Sequence, residues 1–95
     1  MRMMLRWTVP VEKGNQMVND GSMASVIESL MERLKPEAAY FFPEGGERAG
    51  MMFFDMQDSS DIPSIAEALF QDAEAAVEFV PVMNAEDLKK GLGSL

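Results

Sequence analysis

The chain has 95 residues, a formal charge of −8, and neither cysteine nor histidine. The length predicts a single domain spanning residues 1–95, and the acidic balance argues against nucleic-acid binding, which needs a basic surface. The lack of cysteine and histidine excludes disulfides, thiolate nucleophiles and imidazole ligands, so we expect no cofactor and no tightly bound metal.

Membrane association is also disfavoured by the sequence. No apolar run approaches the roughly 18–20 residues that a membrane-spanning helix needs. The first residues, MRMMLRWTVP, are interrupted by Arg6 and are followed by no small-residue cleavage site, which argues against a signal peptide. We therefore expect no membrane partner and a cytoplasmic location.

The first part of the chain predicts a strand, a connection and a helix. Residues 2–9, RMMLRWTV, are typical of a strand, and Pro10 ends it because proline has no N–H for the ladder. Residues 11–22 predict a connection that contains a single helical turn, with Ser22 as the N-cap of the next helix. In that helix, MASVIESLMERLK, apolar residues recur at helical spacing until Pro36 stops it.

A β-hairpin is predicted next. Residues 38–42, AAYFF, and 51–56, MMFFDM, read as strands. Between them, Gly45 and Gly46 can supply the positive φ angles of a tight turn.

The last part of the chain predicts two helices and one strand. Pro63 suits the first turn of a helix, and residues 76–82, AVEFVPV, are typical of a fourth strand. Asn84 then predicts the cap of a short C-terminal helix, with Asp87 completing a capping box and Gly91 ending the helix.

This order of elements, β-α-β-β-α-β with an added helix, predicts an α+β fold of the ferredoxin-like class. We expect a four-stranded antiparallel sheet with strand order 4-1-3-2 and two helices on one face. Alternation assigns one set of side chains to the helix side: Met3, Leu5, Trp7, Met52, Phe54, Met56, Val77 and Phe79. The other set forms the opposite face: Met4, Arg6, Thr8, Tyr40, Phe42, Met51, Phe53, Asp55, Glu78 and Val80.

The second face is too apolar for a monomer to leave in water. A second copy of the chain, packed face to face about a two-fold axis, would cover it. The sequence therefore predicts a homodimer formed through the sheet faces.

Two stretches, KPEAAYFFPEGGERAGMMFFDM and VEFVPVMNAEDL, resemble small bacterial proteins without an assigned function in the dimeric α+β barrel superfamily. The resemblance in element order covers residues 1–83 and implies that two ferredoxin-like protomers pack their sheets into a barrel. Members of that superfamily include cofactor-free mono-oxygenases, isomerases and haem-degrading enzymes. Haem-binding branches typically supply a histidine ligand, which this chain lacks.

Five residues on the expected barrel face are candidates for ligand binding. Arg6, Asp55 and Glu78 interrupt apolar strands and are expected to converge. Arg6 would then hold an anionic oxygen while a carboxylate moves a proton, or the three would form a structural ion-pair cluster. Trp7 and Tyr40 would stack on a flat aromatic molecule, with Tyr40 also able to donate a proton, or they would fill the core and the interface. Phe53 is the remaining ligand-binding candidate.

Two functions therefore remain open at this stage, and no catalytic residue is assigned. One is a cofactor-free mono-oxygenase or isomerase that acts on a small apolar or aromatic molecule. The other is a homodimer without catalytic activity that binds a small ligand or serves as a structural protein.

Overall fold

The computed structural model describes residues 1–95 as an α+β fold built on one four-stranded antiparallel sheet. The elements in chain order are β1 (Arg2–Val9), α1 (Val11–Asp20), α2 (Ser22–Leu34), β2 (Ala38–Glu44), β3 (Glu47–Asp55), a short 3-10 turn (Ser59–Asp61), α3 (Ile62–Ala73), β4 (Ala76–Pro81) and α4 (Ala85–Leu92). The strand order β2-β3-β1-β4 is the expected order read from the other edge. The α+β class, the four antiparallel strands and their order are thus confirmed.

The first connection differs from the prediction, because it contains a complete additional helix, α1 (Val11–Asp20). Gly14 and Asn15 have low intrinsic helix propensity, which is why the sequence predicted little more than a turn. Packing overrides that preference: Met17 is buried in the core. Pro10 precedes the helix and accepts a hydrogen bond from Gly14 N–H at 2.8 Å, so its own lack of an N–H does not disturb the first turn.

Helix α2 begins one residue away from the predicted cap. Gly21 has a φ of 83°, which turns the chain between α1 and α2, and Ser22 is already the first helical residue. The carboxylate of Asp20 accepts the Ser22 N–H at 2.8 Å. The prediction of Ser22 as N-cap is therefore wrong, and Asp20 satisfies this free amide instead.

Helix α4 has the predicted start and a different end. The side chain of Asn84 accepts the Asp87 N–H at 2.8 Å, and the side chain of Asp87 accepts the Asn84 N–H at 3.1 Å. These two bonds confirm the capping box. The helix continues through Gly91 to Leu92, so the prediction that Gly91 ends it is wrong.

The predicted hairpin is confirmed, and its strands are longer than expected. Gly45 and Gly46 have φ angles of 58° and 82°, which a non-glycine residue adopts only with strain. Glu44 and Glu47 pair directly on either side of this two-residue loop. Strand β2 thus carries two more residues than the sequence indicated, and β3 begins four residues earlier.

Three helices, α1, α2 and α3, cover one face of the sheet. The sheet residues of the core are the set predicted for the helix side: Met3, Leu5, Trp7, Met52, Phe54 and Met56 are buried, and Val77 and Phe79 pack against them. The helices contribute Met17, Leu30, Ile65, Leu69 and Ala73 to the same cluster. The alternation of apolar side chains therefore predicted correctly which face is covered.

Helix α4 lies outside this layered arrangement. None of its residues is buried, and the molecule measures 51 × 27 × 18 Å. Its radius of gyration of 14.8 Å exceeds the value of about 12.4 Å expected for a compact chain of this length. No helix in the protein has the length and apolar composition needed to cross a bilayer.

Candidate functional site on the uncovered face of the sheet

The face of the sheet that carries no helices is called the open face below. Its side chains come from alternate positions of all four strands: Arg2, Met4, Arg6, Thr8, Tyr40, Phe42, Met51, Phe53, Asp55, Glu78 and Val80. Tyr40 is 58% exposed and Val80 is 37% exposed. The pairing confirms that Tyr40 and Phe42 belong to this face, because they lie beside Met51 and Ala49.

Three of the five predicted ligand-binding residues lie in one row across the open face. Tyr40 pairs with Met51, Met51 pairs with Arg6, and Arg6 pairs with Glu78. Directly paired residues in an antiparallel ladder present their side chains on the same face, about 4.5–5.5 Å apart. Phe53 lies on the same face two residues along β3 from Met51.

Arg6 uses neither of its expected partners. Its guanidinium forms an ion pair with Glu44 at the end of β2. Glu78 is beside Arg6 in the ladder, but the two form no ion pair. Both members of the Arg6–Glu44 pair are partly exposed, so in an isolated protomer the pair contributes at most about 1 kcal/mol.

Glu44 was missed as a partner of Arg6 because the predicted second strand ended at residue 42 and the predicted third strand began at residue 51. The length of the hairpin loop could have predicted this contact. Since the two glycines form the entire loop, β2 extends to Glu44, which then shares the alternation of Tyr40 and Phe42. The length of the strand, and not any local motif, decides which carboxylate Arg6 meets.

Asp55 lies at the far end of β3, and the expected convergence with Arg6 and Glu78 does not occur. It pairs with Arg2 in the ladder, and its carboxylate accepts the terminal ammonium of Met1 at 2.6 Å and the amide of Gln57 at 2.9 Å. The hydrogen bond from the terminal ammonium, together with its charge, lowers the pKa of Asp55. Asp55 therefore belongs to a polar cluster with Met1, Arg2 and Gln57 at the C-terminal end of β3, away from Arg6 and Glu78.

Arg2 is a second arginine of the open face that sequence reasoning overlooked. Its Nε donates to Glu37 Oε1 at 2.6 Å, and its Nη1 donates to Asp87 Oδ2 at 2.9 Å. The hydrogen bond from Arg2 to Glu37 and the charge of that carboxylate raise the pKa of Arg2. The contact with Asp87 ties the start of α4 to the sheet.

A groove of about 410 Å³ runs along the open face where α4 leaves the sheet. Its walls are formed by Arg2, Glu37, Ala38, Tyr40, Phe53, Val82, Met83 and Asn84. Two predicted ligand-binding residues, Tyr40 and Phe53, thus line one concave surface, whereas Arg6, Asp55 and Glu78 do not. The volume falls within the range of small-molecule sites.

The remaining chemistry of the face is limited. No group of three or more carboxylates comes together in a way that could hold a metal ion. Arg2 and Arg6 are already engaged by carboxylates, so the groove offers aromatic and aliphatic surface and the hydroxyl of Tyr40. No family model matches the chain, and none of the curated proteins matches it.

Proposed function

We propose that the protein is a homodimer whose two open faces pack together and hold a small apolar or aromatic molecule. The observation that carries this proposal is the uncovered apolar belt on the open face, formed by Met4, Phe42, Met51, Phe53 and Val80. The two central strands, β1 and β3, bury their other side under helices. An apolar sheet face that the protein's own helices do not cover is typical of an interaction surface.

The size of the face suits this role. Four strands spaced about 4.8 Å apart, each about 20 Å long, present roughly 400 Å² in projection. The accessible surface of the protomer is 6157 Å², compared with about 5,400 Å² expected for a monomer of this mass. Pairing of two such faces would bring the exposed surface per protomer closer to that of ordinary globular proteins.

A second copy is the occupant that the distribution of charge favours. The open face carries Arg6 beside Glu78 and Arg2 beside Asp55, and both arginines are paired with carboxylates of their own protomer, so neither sign of charge dominates the surface that a rotated copy would meet. Nucleic acid would require a face dominated by cations. The arrangement that follows is a dimeric α+β barrel of two ferredoxin-like protomers, modified by the added helix α1 in the first connection.

The ligand would occupy the groove beside Tyr40 and Phe53. In one protomer this groove is open on one side, and a second sheet packed over it would exclude water from an aromatic-walled space. Because the nearby arginine Arg2 already binds Glu37 and Asp87, an uncharged molecule is favoured. Binding without catalysis is therefore the role that these contacts support best.

Catalysis of a cofactor-free oxygenation or an isomerisation is the second candidate. The observation that favours it is the hydroxyl of Tyr40 at the wall of the groove, where a phenol could donate a proton to a bound substrate. Tyr40→Phe separates the two roles, because it keeps the aromatic wall and removes the proton. Turnover that this variant abolishes while ligand affinity stays unchanged would establish catalysis.

Sedimentation equilibrium tests the dimer. We expect twice the protomer mass of 10.5 kDa at micromolar concentration. Phe53→Glu should produce monomers, because a carboxylate would be buried without a partner in the interface. Phe70→Glu is the matched control, since Phe70 is a 43% exposed phenylalanine on the helical side, and this variant should remain dimeric. A wild type that stays monomeric would refute the proposal.

A further inference from the structure

A second concave surface lies on the opposite side of the sheet, away from the open face. It is a cleft of about 380 Å³ between α2 and the β2 edge. Its walls include Trp7, Val9, Met23, Ile27, Phe41 and Arg48. The helices cover the centre of the sheet here but stop short of its edge, since Phe41 on β2 is 52% exposed although it is on the helical side.

The floor of the cleft is an aromatic shelf. Trp7 and Phe41 lie on either side of Gly50 in neighbouring strands. A Cβ atom at Gly50 would come within 2.3 Å of the indole ring, so the absence of a side chain is what lets the ring lie flat across β3. The indole then meets Phe41 edge to face, with ring centroids 6.2 Å apart. The shelf is thus buried on the Trp7 side, where the residue is 4% exposed, and solvent-accessible on the Phe41 side.

Arg48 supplies a cation at the wall of this cleft. It pairs with Val9 in the ladder and donates from Nη1 to the neutral amide of Asn15 at 3.1 Å. Unlike Arg2 and Arg6, it forms no ion pair with a carboxylate. Helix α1 makes room for it: a Cβ atom at Gly14 would lie 2.8 Å from Arg48 Nη1.

We propose that this cleft binds a small aromatic monocarboxylate, with the carboxylate on Arg48 and the ring on the shelf of Trp7 and Phe41. A planar guanidinium whose charge is not neutralised by the protein suits a carboxylate, which it can bind through two hydrogen bonds. The apolar walls favour a ring over a purely polar anion. The net charge of −8 repels polyanions more strongly than monoanions, so a ligand with one negative charge is favoured over one with several.

This site is independent of the dimer proposed above. The cleft opens at the helical side of the β2 edge and is complete within one protomer, and it shares only Phe42 and Ala49 with the open face. The ligand chemistry also differs, since the groove at Tyr40 favours an uncharged molecule and the cleft an anion. Failure of either proposal therefore leaves the other standing.

The test uses 2-naphthoate as the probe and its uncharged analogue 2-naphthamide as the comparison. The chain contains one tryptophan, so the indole N–H gives a single resonance in a ¹⁵N-correlated NMR spectrum that reports on the cleft. We expect 2-naphthoate to shift this resonance with a Kd of about 1 mM or below, as its size allows. We expect 2-naphthamide to bind at least about tenfold more weakly, because it loses the charge-assisted bonds.

Three variants locate the contact. Arg48→Gln should weaken 2-naphthoate binding to the level of 2-naphthamide, and Gly14→Ala should weaken it by displacing the guanidinium. Arg33→Gln is the matched control, because Arg33 binds the backbone oxygen and hydroxyl of Ser64 elsewhere on the surface, and it should leave the affinity unchanged. Equal affinity of the acid and the amide, an unshifted indole resonance at saturation, or full affinity in Arg48→Gln would each overturn the proposal.

Discussion

Met51 and Met52 are neighbours in β3, yet they lie in different environments. Met52 is completely buried beneath the helices, whereas Met51 lies half-buried on the open face. The same contrast separates Leu5 from Arg6 and Phe54 from Phe53. The comparison teaches that the residue type alone does not determine burial in this sheet, because what covers each face decides it.

Substitution of the two methionines measures the contrast directly. Met52→Ala should lower the free energy of unfolding by about 2–5 kcal/mol, because it leaves a cavity in the core. Met51→Ala should lower it by about 1 kcal/mol or less in dilute solution, where the open face is wet. Urea titration of both variants provides the values, and equal losses at low protein concentration would show that both faces are buried.

Substitution of Gly50 is a second test of packing on the helical face, and we expect it to cost less stability than Met52→Ala. Gly50→Ala forces the Trp7 indole off the strand, since no Cβ fits beneath it, and overpacking of this kind costs about 1–3 kcal/mol. The near-ultraviolet circular dichroism of Trp7 should change with it. Gly91→Ala is the control: its Cβ meets nothing within 4 Å, so this variant should be neutral or slightly stabilising because alanine favours the helix.

Loss of the N-cap should unfold helix α4 without unfolding the rest of the protein. Asn84→Ala removes the N-cap acceptor for Asp87 N–H, which typically costs about 1 kcal/mol of helix stability. Because no residue of α4 is buried, we expect reduced far-ultraviolet helicity with almost no shift in the global unfolding midpoint. A shift as large as that of Gly50→Ala would show that α4 packs on the rest of the molecule in solution.

The smallest expected changes in stability occur at acid pH and involve two aspartates, Asp20 at the end of α1 and Asp58 just before the 3-10 turn. Hydrogen bonds from Ser22 lower the pKa of Asp20, and the backbone N–H of Ser60 is the main cause of the lowered pKa of Asp58. A carboxylate whose pKa is lower in the folded state adds stability above its unfolded pKa of about 4 and loses it as the pH falls through the folded value.

Replacing both carboxyls with amides, Asp20→Asn with Asp58→Asn, keeps an acceptor oxygen and removes the titration. The variant should therefore lose less stability than the wild type as the pH falls below about 4. Thermal melts across that interval compare the two proteins. Parallel pH profiles would mean that these hydrogen bonds are equally present in the unfolded chain.

The sequence predicted those features that depend on local pattern. Alternation placed Leu5 and Met52 inside, the glycine pair fixed the hairpin, and Asn84 with Asp87 started α4, because each of these signals acts within a few residues. Helix α1 was missed since its packing, and not its composition, stabilises it. The partner of Arg6 was missed because it depends on how far β2 extends, which only the paired sheet determines.

The same limit applies to the candidate sites. The sequence placed Tyr40 and Phe53 correctly on the same face of the sheet, since alternation is a local signal. It gave no reason to connect Phe41 and Trp7 with Arg48, because they come together only when β3 lies between β1 and β2. Gly14 and Gly50, which make room for this arrangement, lie outside every helix and strand that the sequence predicted.

The strand order also determines when each strand can find its hydrogen-bonding partner during synthesis. Strand β1 is made first, but it lies between β3 and β4, whose residues 47–55 and 76–81 are translated much later. At roughly 5–20 residues per second, synthesis of β1 ends about 2–9 s before that of its first partner, β3. During that interval the segment RMMLRWTV has unpaired edges and one wholly apolar row of side chains, Met3, Leu5, Trp7 and Val9, which makes it prone to aggregation until its partners arrive.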